Sequence, residues 1–198
     1  MHRFFEAFLR EDISALDLLG AKFTYVNDPL ATLYGLPLPG TGANLTRVTV
    51  DGVQRGTLLG HAGPLTVTSH DSHTNPVKRG KWVLGQILCA EPPPPPANVP
   101  AFTPDPTAMK SLREQMEAHR TNPACAACHS SMDPLGFGME NYDHLGKWRT
   151  KDEAGFDIDT SGKLPDGRTF NTPLELTTVL KNDPKFPRCL TEQLFIYG

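Results

Sequence analysis

The chain has 198 residues, 38% of them hydrophobic and 21% charged, with a net charge of −3. That size and balance suit one folded domain or two small ones, and without a basic cluster they argue against nucleic acid or an anionic membrane as the main partner. No stretch reaches the roughly 18–20 apolar residues of a membrane-spanning helix, and the 19 prolines and 17 glycines call for much loop.

Phe4, Phe5, Phe8 and Leu9 share a face and predict a helix over residues 3–12. Asp12-Ile13-Ser14 offers a cap for a second, short helical turn through Leu19. Asn27-Asp28-Pro29 opens another helix that Gly35 ends. Residues 45–50 alternate as a strand does, with a turn signal at Asp51-Gly52. Leu65 to Thr68 read as a short extended run, and 77–88 as a helix. Pro92 to Pro96 form a stiff polyproline segment, the clearest boundary in the chain. The reading that follows is an α-rich domain at 1–90, a polyproline linker at 91–106 and a second domain at 107–198.

In that second part Thr107 caps a helix to about Arg120, with Met109, Leu112, Met116 and His119 on one face, and Asn122-Pro123 stops it. Residues 133–138 read as a turn-rich loop, and 155–170 as a hairpin region around Asp166-Gly167. Thr172-Pro173-Leu174-Glu175 has the form of a helix start, Thr as cap, Pro first and Glu third. That helix runs to about Lys181, and a last one begins at Pro187.

Cys125-Ala126-Ala127-Cys128-His129 is the strongest chemical signal. Two thiols three residues apart can each add to a haem vinyl group, and the adjacent histidine becomes an axial ligand of the iron. The expectation is one haem c on Cys125, Cys128 and His129, with His129 proximal, which makes 107–198 a c-type haem domain. A zinc site is the rival, but no second CxxC or paired histidines follow to complete it. No methionine follows Met139, so the distal candidates are His144, His119, Met132 and Met139, with His61, His70 and His73 added if the two domains pack together, or no protein ligand at all. Trp148 and Arg149 have the character of a haem propionate site, or of an ordinary basic turn. Asp157, Asp159, Ser161 and Gly162 open like a calcium loop, but Arg168 stands where its glutamate belongs, which argues against calcium. Cys89 and Cys189 remain, either a disulfide or two buried thiols. No hydrolase or nucleotide-binding motif is present.

Several longer runs resemble known proteins. Thr74 to Leu84, with Cys89 and the prolines after it, resembles a domain of unknown function in large secreted planctomycete-type cytochrome proteins. His119 to His129, Met132 to Phe137, Glu140 to Asp143, Gly146 to Arg149 and Asp159 to Gly167 are similar to the partner domain or the segment just before it. The resemblance implies haem at Cys125, Cys128 and His129, and a C-terminal place in a longer exported protein beside other cytochrome domains. The opening Met1 to Glu6 is interrupted by acid and is not a signal peptide, so the expectation is a removed signal or a piece of a longer chain.

The expected fold is mainly α with minor β, a cytochrome-c-like haem core preceded by a small helical, loop-rich domain. The expected function is electron transfer with neighbouring haems or a redox partner, periplasmic or at the cell surface. Two rivals stand beside it. One is a haem enzyme, peroxidase- or oxygenase-like, with an open distal site. The other is a binding or structural module without redox chemistry.

Overall fold

A computed structural model describes residues 1–50, 54–55, 58–94, 104–105 and 107–197. It is mainly helical with a little β structure. The turn expected at Asp51-Gly52 and most of the proline linker lie outside the described residues.

Helix α1 (His2–Arg10) buries Phe4, Ala7 and Phe8. A 3-10 turn at Ala15–Leu19 follows Ser14 and buries Leu18 and Leu19. Strand β1 (Phe23–Val26) pairs antiparallel with β2 (Thr46–Thr49), from Phe23 opposite Thr49 to Val26 opposite Thr46. Between them α2 (Asp28–Tyr34) starts at an Asn27 side chain that accepts from the Leu30 N–H, and ends at Gly35 with φ +67°. Only a residue without Cβ takes that left-handed conformation at no steric cost.

The run at Leu65 to Thr68 is not extended. Residues Ala62–Val67 form α3, which buries Leu65. The hydroxyls of Thr66 and Thr68 donate to the Ala62 and Pro64 carbonyls four residues back. Burial and these local bonds override the strand preference of a Thr-Val-Thr run. The helix expected at 77–88 is α4 (Pro76–Trp82), continued by a π-helical turn at Val83–Ile87. Asn75 caps α4 by accepting from the Lys78 N–H.

The cap expected at Thr107 belongs instead to Ser111. Helix α5 (Leu112–His119) opens with a complete capping box between Ser111 and Glu114, which satisfies donors that Thr107 lies too early to reach. Helix α6 (Pro123–Phe137) runs through the CxxCH at Cys125–His129 and through Pro134, where a loop was expected. Strands β3 (Gly162–Lys163) and β4 (Thr169–Phe170) make the expected hairpin. Helix α7 (Pro173–Lys181) starts as its sequence indicates, with the Thr172 hydroxyl accepting from the Glu175 N–H. Helix α8 (Lys185–Tyr197) begins two residues before Pro187.

One hydrophobic core draws on both sides of the proline run. Phe4, Leu19, Leu65 and Val83 from the first part meet Met132, Leu135, Leu176, Leu180 and Phe186 from the second. At its centre α4 and α6 touch backbone to backbone. A Cβ on Gly80 would stand 1.9 Å from the Met132 carbonyl oxygen, and one on Gly136 would stand 1.9 Å from that of Pro76. Each glycine therefore lets the opposing helix close in. This contact carries α6 onto the core despite Pro134, and so fixes the helix that bears the thiols.

The Cys89–Cys189 disulfide is formed, with Sγ atoms 2.06 Å apart. It ties the end of the π-helical turn to α8. Among the described residues no helix is long and apolar enough to cross a membrane.

Candidate functional site

Helix α6 sets the geometry of the CxxCH motif. Positions three and four apart share a helical face, so Cys125, Cys128 and His129 are neighbours around its first turns. Both cysteines are free thiols and half-buried, and Cys128 packs at the edge of the core. The His129 side chain keeps 19% of its surface exposed, and its Nδ1 lies 2.9 Å from Oδ1 of Asp133, one turn further on.

Asp133 was not among the residues that sequence reasoning singled out. It is fully buried, and burial pushes its carboxyl above the usual range, opposed by His129 and Arg120 beside it. Arg120 Nε approaches the other oxygen at 3.7 Å, too far for a hydrogen bond. The signal existed in the spacing, because His129 and Asp133 are an i, i+4 pair. It was hidden by reading 133–138 as loop, where that spacing has no meaning.

The distal candidates separate clearly. The ring of His119, at the end of α5, meets that of His129 edge to face, with centroids 5.6 Å apart. Met132 and Met139 are buried in the hydrophobic core at 6% and 2% exposure. His144 sits half-buried in a turn whose Asp143 carboxylate accepts from the N–H groups of Leu145 and Lys147.

Trp148 and Arg149 have partners within the protein. Trp148 packs edge-on against Tyr142 at 5.4 Å and pairs with it through the backbone. Arg149 is held by two carboxylates, Glu140 at 2.9 Å and Glu153 at 2.7 Å, so its expected propionate role competes with bonds already made. Glu140 also meets the fully buried Arg79 at 3.0 Å and accepts from the Thr74 hydroxyl at 2.6 Å. Arg79 donates further to the carbonyls of Met139, Tyr142 and Asp143. This buried network brackets the C-terminal side of α6 and locks the following loop to α4.

A family model described as PSCyt3, protein of unknown function (DUF1588), matches this chain. The match covers residues 55–152. It takes in α3 to α6, the CxxCH motif, Asp133 and the Arg79–Glu140–Arg149 network, and leaves α1, β1, α2 and β2 on one side and β3, β4, α7 and α8 on the other outside. The family's name points to an association with cytochromes. No curated protein matches the chain, and no solved structure does.

Two reduced thiols, a histidine directly after the second, and a carboxylate on that histidine's Nδ1 make a donor set that fits a covalently held haem. Among the described residues no three His, Cys, Asp or Glu side chains are grouped to hold a metal ion by themselves, as a closed zinc site needs. Two cavities among the described residues lie elsewhere. The larger, of about 360 Å³, opens between His73, Asp105, Gln115 and Glu153, and none of Cys125, Cys128 or His129 lines either.

Proposed function

We propose that the chain is an exported c-type cytochrome module carrying one haem, working in the periplasm or at the cell surface. Cys125 and Cys128 form the two thioether links, and His129 is the proximal ligand through Nε2. The observation that supports this most is the 2.9 Å contact between His129 Nδ1 and Asp133, which leaves the opposite ring nitrogen for a metal. When bound, the haem supplies a one-electron couple. The protein's share is to hold the proximal imidazole in one orientation, to offer the second ligand and to set the polarity around both. The disulfide supports an oxidising compartment. The partners in this reading are other haem domains or redox proteins, including ones in the same longer polypeptide.

The deciding experiment expresses the chain with the cytochrome c maturation machinery and assays the acid-acetone pellet as its pyridine haemochrome. Haem that stays with the pellet, and becomes extractable in Cys125→Ala/Cys128→Ala, supports the proposal. A colourless protein overturns it.

We propose His119 as the distal ligand, because its ring, at the end of α5, lies 5.6 Å from that of His129. Two histidine ligands give a low-spin spectrum indifferent to cyanide and carbon monoxide. His119→Ala is then expected to turn the spectrum high-spin and open the site to both. A wild-type spectrum that is already high-spin would favour the haem-enzyme reading.

A further inference from the structure

Asp133 occupies a position where a carboxylate is costly. The inner face of α6 from Met132 to Phe137 is buried, and Asp133 has no exposed surface. An ionisable group taken from water must recover its lost hydration through partners. Asp133 recovers little of it. Oδ1 has the His129 imidazole at 2.9 Å, while Oδ2 is buried with no hydrogen-bond partner. A neutral imidazole carries one proton, on Nδ1 or on Nε2, and the environment chooses between them. A carboxylate acceptor at Nδ1 draws the proton there and leaves Nε2 with its lone pair.

We propose that Asp133 is a positioning residue: it fixes His129 as the Nδ1–H tautomer, bares Nε2 as the ligand atom, and through its negative charge makes that imidazole a stronger electron donor. The last part rests on the haem proposal, and the tautomer assignment does not. A more strongly donating axial ligand stabilises ferric over ferrous iron, so Asp133 lowers the reduction potential of the module.

The competing role is an ion pair with Arg120 that only braces the corner between α5 and α6. Two measurements on the full chain distinguish them. The first uses haem-free protein labelled with ¹⁵N histidine, and reads the His129 tautomer from long-range ring couplings, assigned by loss of the signal in His129→Gln. The wild type is expected to be Nδ1–H. Asp133→Asn keeps an acceptor oxygen of the same shape and keeps that tautomer, while Asp133→Ala moves the proton to Nε2. A wild-type ring protonated on Nε2 overturns the assignment.

The second uses haem-loaded protein. Asp133→Asn, with haem still covalently attached, is expected to show a higher reduction potential than the wild type. An unchanged potential overturns the electron-donating role and leaves Asp133 as a brace. A colourless wild-type protein whose His129 is still Nδ1–H would sink the haem proposal and keep the tautomer assignment.

Discussion

His61 shows how single residues here are tuned by burial. It stands at the start of α3 with its ring against Phe4, centroids 4.6 Å apart, and its Nε2 lies 3.3 Å from the Thr24 hydroxyl. Burial pushes its pKa down to about 3, with the nearby Arg55 acting in the same direction. The folded state therefore keeps His61 neutral, while the unfolded chain protonates it near pH 6.5. Between those values the unfolded state binds more protons, so this contribution is complete above about pH 6.5 and is lost as the pH falls toward 3. If the whole shift is expressed it amounts to at most about 5 kcal/mol. Urea unfolding of wild type and His61→Gln from pH 4 to pH 7.5 reads it directly. The wild type should lose stability faster on acidification, by up to one proton's slope, and parallel curves would show that His61 does not contribute.

Among the elements, the α4–α6 contact decides most. On helix propensity alone, replacing a mid-helix glycine with alanine stabilises by about 1 kcal/mol. At Gly80 and Gly136 the opposite sign is expected, because the new methyl would meet backbone oxygen at 1.9 Å and neither backbone can yield as a side chain could. Gly80→Ala and Gly136→Ala should each destabilise by roughly 2 kcal/mol or more, the range of overpacked cores, seen as a lower thermal midpoint. Alanine variants as stable as the parent would show that α4 and α6 do not touch backbone to backbone. The same contact explains what was legible in the sequence. The start of α7 could be read residue by residue, because Thr172, Pro173 and Glu175 act locally. The continuation of α6 past Met132 could not, because Pro134 and Gly136 are breakers unless another helix holds them. The thiols and His129 were legible as a motif, whereas Asp133 became visible only once its segment was known to be helical.

At the scale of the whole molecule, the two parts on either side of the prolines are each short for an independent core. The fold answers by sharing one core and by closing it covalently. Cys89 and Cys189 lie 100 residues apart in sequence with their Cα atoms 5.2 Å apart. The disulfide encloses α5, α6, β3, β4 and α7, so Cys125, Cys128, His129 and Asp133 all lie within its loop. In the unfolded chain that link removes conformational freedom worth roughly 4–5 kcal/mol for a loop of this length. Cys89→Ala/Cys189→Ala should lower the free energy of urea unfolding by about that amount, and reducing the wild type should reproduce the loss. Thiol titration of the denatured, haem-free chain provides the independent check. Only Cys125 and Cys128 should react before reduction, and all four cysteines after it. Four reactive thiols in the unreduced protein, with stability unchanged in the double variant, would show that the shared core holds the two parts together without a covalent link.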